Sequence, residues 1–358
     1  MKENAILLTG GILNRGHAKT AHGLIRTSSK FNILGVIDEV SAGEDAGYVV
    51  DGIKRKIPVY PSVESFLKSS PVKAAYAIIG VAFPGGKLPA EIKEDLKLVL
   101  RSGISVVSGL HDFLSDMPEI KGLADEFGAR LIDIRKPRPK DELKFWSGAI
   151  LKVTSPIIGV MGTDCALGKR TTAVMLSDAM NARSQKSFMI YTGQTGWLQG
   201  HKYGFILDST YNDFISGELE NAVVTCFQNE SPDFIFIEGQ SALCNPSGPC
   251  GSEYLLSAQC KGVILQHSPT RTFYNGQDHT GIRISLQREM DLIRLYGSRV
   301  IAISLNTKGI TLAEARTYQQ EYEKKYEIPV ALPLEEGVDK LADAVVKYAE
   351  EFKAAKNN

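Results

Sequence analysis

The chain has 358 residues, with 41 Lys plus Arg against 41 Asp plus Glu and 43% hydrophobic residues. At about 150 residues per domain, this length predicts two domains, each large enough to bury a core. A formal charge of zero excludes the broad basic footprint of a protein that coats nucleic acid or an anionic membrane, so any anion must be held by a local site.

The only early apolar stretch, Ala5 to Leu8, is too short for a signal-peptide core. No uninterrupted apolar run approaches the roughly 18 residues of a membrane span, so the expected place is the cytoplasm and the expected partner a small molecule. The five cysteines, Cys165, Cys226, Cys244, Cys250 and Cys260, form an odd set without a C-x-x-C pair. They read as reduced thiols, with neither a disulfide framework nor a metal site.

In chain order, strands are predicted at Asn4 to Leu8, Ile33 to Asp38, Ala74 to Ile79, Ser105 to Ser108 and Arg130 to Asp133. A helix is predicted over Pro89 to Ser102, where Ile92, Leu96, Val99 and Leu100 recur at helical spacing. Arg135 to Lys140 combines two prolines with four basic residues and suits neither a helix nor a central strand. A second series of strands follows at Pro156 to Met161, Ser187 to Tyr191, Phe234 to Glu238, Gly262 to His267, Arg299 to Leu305 and Ile328 to Ala331. Helices are expected between them, including Lys169 to Ala182 and a final one from Gly337 to Lys353. The alternation predicts an α/β fold with mainly parallel sheet. A Rossmann-like domain over 1–140 precedes a P-loop NTPase-like, dethiobiotin-synthetase-like domain over 141–358.

The strongest motif is Gly162-Thr-Asp-Cys-Ala-Leu-Gly-Lys-Arg-Thr-Thr172, between an apolar strand and a helical pattern. In a phosphate loop, glycines let consecutive amides point into one concavity, the helix N-terminus adds positive potential and a lysine reaches over the phosphates. Gly162, Thr163, Asp164, Cys165, Gly168, Lys169, Arg170, Thr171 and Thr172 are therefore the candidate phosphate-binding residues. Five residues separate Gly162 from Gly168, the spacing of dethiobiotin-synthetase-like loops rather than the usual four.

Arg170 departs from that pattern. A Ser or Thr directly after the lysine normally coordinates magnesium, and Thr171 is displaced from that place by about 100° around the helix. Arginine offers phosphate a planar fork of donors but binds no metal. The loop thus reads as a holder of phosphates with less help from metal, suited to the pyrophosphate of coenzyme A or to a nucleotide bound without hydrolysis. A requirement for Mg2+ is left open.

Ligands of open α/β sheets bind at the carboxyl ends of the strands. That rule brings Glu238, Gln240 and Ser241, Gln194 and Thr195, and His267 and Arg271 toward the loop. Glu238 and His267 are the candidate proton acceptors; Gln194, Thr195, Gln240, Ser241 and Arg271 are the candidate substrate-binding residues, Arg271 as a bidentate carboxylate clamp. In the first half Asp38 ends a strand where a dinucleotide fold places its ribose acid. The Gly-x-Gly-x-x-Gly fingerprint is absent from Thr9 to Gly16, however, so NAD is not expected.

The joint presence of Ala18-Lys-Thr-Ala21, Gly80-Val-Ala, Gly85-Gly86, the Gly162 to Thr172 loop, Tyr191-Thr-Gly-Gln-Thr-Gly196, Ile237-Glu-Gly-Gln240 and His267-Ser-Pro-Thr-Arg271 resembles the bacterial two-domain family, Rossmann-like plus P-loop, that includes D-glutamate N-acetyltransferase. The resemblance covers nearly the whole chain. It implies acetyl transfer from acetyl-CoA, as co-substrate, to D-glutamate, and a pathway partner of the enolase-superfamily racemase type. Two other readings compete: an ATP-dependent ligase or kinase of dethiobiotin-synthetase type acting on a small carboxylic acid, and a non-catalytic nucleotide-sensing regulator. A homo-oligomer is expected on base rates.

Overall fold

A computed structural model of the chain describes residues 2–82 and 87–357. Phe83 to Gly86, which include the Gly85-Gly86 pair, lie outside the described residues. The chain divides into two compact units, 1–138 together with 194–201, and 139–193 together with 202–358.

The N-terminal unit is built on β1 (Glu3–Leu8), β2 (Phe31–Ile37), β3 (Val59–Tyr60), β4 (Tyr76–Ile79), β5 (Ser105–Ser108) and β6 (Leu131–Asp133). They form one sheet in the order β3-β2-β1-β4-β5-β6, parallel throughout. This is the Rossmann strand order. Its central strands are continuous apolar runs because helices cover both faces: Ile6 and Leu8 pack on one side with Ile92, Leu96 and Leu100 of the helix Ala90–Arg101, and Ala5 and Leu7 on the other with Leu24 of the helix Lys19–Arg26. Asp38 is buried and its carboxylate is taken up by the fold. It accepts from the Thr9 hydroxyl at 2.7 Å and from the amides of Leu13 at 2.8 Å and Ser41 at 3.0 Å.

The short helix Gln194–Gln199, which follows a strand of the second series, packs in this N-terminal unit. Leu198 is buried in its core, Gln199 Nε2 donates to Gly23 O at 3.0 Å, and the Lys30 ammonium sits 3.0 Å above the Trp197 ring.

The C-terminal unit contains β7 (Ile157–Gly162), β8 (Ser187–Tyr191), β9 (Tyr203–Gly204), β10 (Phe234–Glu238), β11 (Gly262–His267), β12 (Arg299–Leu305) and β13 (Val330–Ala331). The order is β13-β12-β11-β7-β10-β8-β9, again wholly parallel. β7 lies inside the sheet and every residue of it is buried. In register, Glu238 of β10 is level with Val160, and Gln266 of β11 with Gly162, so the residues that end these strands gather at one edge of the sheet. Among the described residues no helix is long and apolar enough to cross a membrane.

Candidate functional site

The phosphate loop leaves the carboxyl end of β7 and enters the helix Lys169–Ala182. Gly162 has to be glycine for packing reasons: a Cβ there would lie 2.9 Å from Lys169 Cδ and 3.3 Å from Gln266 O. Gly168, at φ +102°, takes the left-handed turn that starts the helix, a conformation L side chains avoid. The first intrahelical bond runs from Thr172 N to Gly168 O at 3.0 Å, which leaves the preceding amides and the helix dipole directed at the mouth of the loop.

Lys169 is buried, and its ammonium donates to Asp164 O at 2.6 Å and Ser241 O at 2.9 Å, tying the loop to the end of β10. Burial lowers its pKa, while the nearby Cys165 and Asp164 act in the opposite direction. Thr172 turns inward and donates to Gln266 Oε1 at 2.7 Å, bracing the helix from below. Thr171 and Arg170 are half-buried.

Asp164 organises the neighbouring loops. Its carboxylate has no exposed surface and accepts from Asn245 Nδ2 at 3.0 Å, from the Asn275 amide at 2.8 Å and from the Arg271 guanidinium at 3.0 Å. Arg271 also donates to Cys165 O at 2.6 Å. The residue expected to clamp a substrate carboxylate therefore clamps the loop in this structure. Asn245 comes from the turn-rich segment after β10, whose Leu243 and Cys244 amides are held at 2.6 and 3.2 Å by the buried Glu289 carboxylate.

Glu238 is buried at the end of β10 and accepts from the Thr192 amide at 3.0 Å. Burial raises its pKa; the charge of Arg170 is the foremost influence pulling it back, followed by the Thr192 and Gly193 amides. Gln240 Nε2 donates to the Thr192 hydroxyl at 3.0 Å, and that hydroxyl donates to Glu238 O, so Thr192 joins the two strand ends. The Cys165 thiol lies 3.5 Å from Ser241 Oγ.

On the other side of β7, His267 Nδ1 is 2.8 Å from the Thr163 hydroxyl and its ring lies 5.8 Å from the Tyr322 ring. Burial lowers its pKa to about 4, which makes it a neutral imidazole at physiological pH. Because the sheet order is β11-β7-β10, Glu238 and His267 flank the loop rather than form a dyad.

The C-terminal unit thus brings together the whole Gly162 to Thr172 loop with Glu238, Gln240, Ser241, His267 and Arg271. Gln194 and Thr195 belong to the N-terminal unit, where Gln194 Oε1 accepts from Arg135 at 3.0 Å and the Thr195 and Thr20 hydroxyls are 3.5 Å apart. Four organising residues escape sequence reasoning: Asn245, Asn275, Glu289 and Asn306, the last donating from Nδ2 to Leu167 O at 2.9 Å. Asn306 follows the apolar run of β12, so the strand-end rule applied there would have found it. Among the described residues no group of three or more His, Cys, Asp or Glu is placed to hold a metal ion.

Comparison with known proteins locates this architecture. Residues 39–137 match a family described as a domain of unknown function, DUF1611_N, Rossmann-like domain, and residues 144–342 match its counterpart, DUF1611_C, P-loop domain. A protein described as D-glutamate N-acetyltransferase from Tritonibacter scottomollicae is 32% identical over 275 residues, 75% of this chain and 80% of its own length. One of the same description from Pseudoalteromonas sp is 28% identical over 283 residues, 77% and 83%. The crystal structure of a DUF1611 family protein from Anabaena variabilis ATCC 29413 has a TM-score of 0.86 at 29% identity and covers 97% of this chain and 100% of that one.

Proposed function

The chain belongs to the DUF1611 family, and from that premise we propose that it transfers the acetyl group of acetyl-CoA to the amino group of an acidic amino acid, D-glutamate, giving N-acetyl-D-glutamate. The observation that carries the reading is the phosphate loop with Arg170 in the place of the magnesium-binding hydroxyl, beside the buried carboxylate of Glu238. The helix N-terminus, Lys169 and Arg170 fit a diphosphate, and coenzyme A contains one. Acyl transfer cleaves no phosphate bond, so nothing in it demands the missing hydroxyl. The names of the two relatives supply the acceptor.

The chemistry asks for a base that removes a proton from the substrate ammonium and for donors facing the tetrahedral oxyanion. The freed amine attacks the thioester carbonyl, the C–N bond forms, the C–S bond breaks, and the departing thiolate takes up a proton. Glu238 suits the first task better than His267. Burial raises the basicity of the carboxylate, whereas an imidazole titrating at about 4 holds a proton poorly at neutral pH. Arg170 adds positive charge near Glu238, where an acidic substrate presents its carboxylates.

The test is incubation with acetyl-CoA and D- or L-glutamate, following free thiol and the acetylated product by mass spectrometry. The expected result is one thiol per N-acetyl-D-glutamate, with Glu238→Gln lowering kcat by about 10²- to 10⁴-fold, the usual share of a general base. Absence of thiol release, or ADP formed from ATP with magnesium and a small acid, overturns the reading.

A further inference from the structure

A cavity of ≈360 Å³ opens beside the phosphate loop, at the carboxyl ends of β11 and β12. Its walls come from the segment after β11, including Ser268, Thr270, Arg271 and Phe273, and from Asn306 and Lys308 after β12. Two of these residues also hold the loop: Asn306 through Leu167 O, and Arg271 through Cys165 O and Asp164. The cavity and the loop are therefore one side chain apart. Asn306 is fixed on every side, since its amide donates to His267 O at 2.7 Å and its Oδ1 accepts from the Lys308 amide at 3.0 Å.

Three properties of the cavity narrow its ligand. Its volume lies at the lower end of the range for small-molecule sites, enough for one nucleoside and too little for a whole acyl carrier. Phe273, with the Arg283 guanidinium 5.3 Å from its ring centroid, and the Arg271 guanidinium are planar groups of the kind on which a base stacks. The charge is one-sided: no carboxylate stands among the described residues that line it, Arg271 is paired with Asp164 through one nitrogen, and the exposed Lys308 ammonium has no acceptor among the described residues.

Sheet order sets the acidic acceptor apart from the far side of this cavity. The cavity lies two to three strands from β10, in the order β12-β11-β7-β10, which is roughly 10–14 Å at a spacing of about 4.8 Å. Glutamate spans roughly 6 Å from its amine to its side-chain carboxylate, at about 1.5 Å per bond. An amine hydrogen-bonded to Glu238 therefore places its side-chain carboxylate about 9 Å away, beside the loop and short of the β12 side of the cavity. A diphosphate carrier held at β7 reaches that side, because its two ends leave the loop in opposite directions.

We propose that this cavity is the subsite for the nucleoside 3′-phosphate end of the acyl carrier, with Phe273 and Arg271 against the base and Lys308 on the 3′-phosphate. This rests on the acetyl-CoA reading of the loop and deepens it, since ATP carries a diphosphate but no 3′-phosphate. The thioester arm then runs to the β10 side, toward Glu238.

The experiment is calorimetric titration of the full chain and of Lys308→Ala with coenzyme A and with 3′-dephospho-coenzyme A. The wild-type chain is expected to bind coenzyme A about tenfold more tightly than the dephospho form, the step one partly screened charge-assisted contact supplies. Lys308→Ala is expected to remove most of that preference while its affinity for the dephospho form stays within about twofold of wild type. Equal affinity of the wild type for the two compounds, or an equal loss for both in the variant, overturns the subsite and leaves the acetyl-CoA reading standing. Failure of the wild type to bind either compound overturns both.

Discussion

Replacing Asp164 by alanine is the sharpest perturbation of the loop assembly, because one carboxylate with no exposed surface joins three segments of chain. The three losses are unequal. Arg271 keeps its bond to Cys165 O at 2.6 Å and is 28% exposed, so water replaces much of the lost ion pair. Asn245 keeps Asn275 Oδ1 as an acceptor for its Nδ2, at 3.3 Å. The Asn275 amide loses the acceptor that holds it at 2.8 Å, and because Asn275 is an exposed residue that water reaches, the loss lies at the low end of the range for an orphaned donor, about 1 kcal/mol. With smaller terms for the ion pair and the vacated volume the total is about 2 kcal/mol, equivalent to a fall in Tm of about 4–8 °C in a unit of this size. Asp164→Asn retains the volume and one acceptor and is expected to lose about half as much. The chain's two tryptophans provide the assay. Trp146 reports on the C-terminal unit through its bond to Ser257 O, so urea unfolding in a Trp197→Phe background follows that unit alone. A loss below about 1 kcal/mol for the alanine variant would show that the loops are not held through Asp164 and would refute the reasoning.

Two further outcomes follow from the titratable groups at the loop. His267 titrates at about 4 when folded against 6.5 for the ordinary side chain, so between those values the unfolded chain binds a proton that the folded chain refuses. Stability present above pH 6.5 is therefore lost as pH falls toward 4, and His267→Gln should flatten that part of the urea-midpoint profile; an unchanged slope refutes the assignment. Arg170 lowers the pKa of the buried Glu238, so Arg170→Met should move the acid limb of the kcat profile to higher pH, and a limb that stays in place separates Arg170 from the base.

The central strands were legible because parallel strands covered on both faces become continuous apolar runs: of the eleven stretches read as strands, five coincide with observed strands at both ends, and five, Ala74 to Ile79 and Arg130 to Asp133 among them, differ by one or two residues at their ends. The eleventh, Ile328 to Ala331, shrinks to the two residues of β13, and β3 and β9 are also two-residue edge strands, too short to carry a period. The phosphate loop was legible because its spacing encodes a backbone shape. Its supports were not, because Asn245 and Asn275 reach Asp164 from 81 and 111 residues away and look like ordinary turn residues in their own segments. Gln194 and Thr195 show the limit of the strand-end rule: β8 ends at Tyr191 as expected, but the next helix packs with the other unit.

Arg170 carries the argument furthest from a single position. As sequence it is a motif departure, a missing hydroxyl that weakens the case for magnesium. In the fold the same side chain is the charge that acts most strongly against the effect of burial on Glu238. One residue on the first turn of the helix Lys169–Ala182 therefore bears on both the phosphate-holding loop and the basicity of the carboxylate beside it. A Ser or Thr at 170 would lack that positive charge, so exchanging the arginine for the standard residue would alter the proposed base as well as the loop.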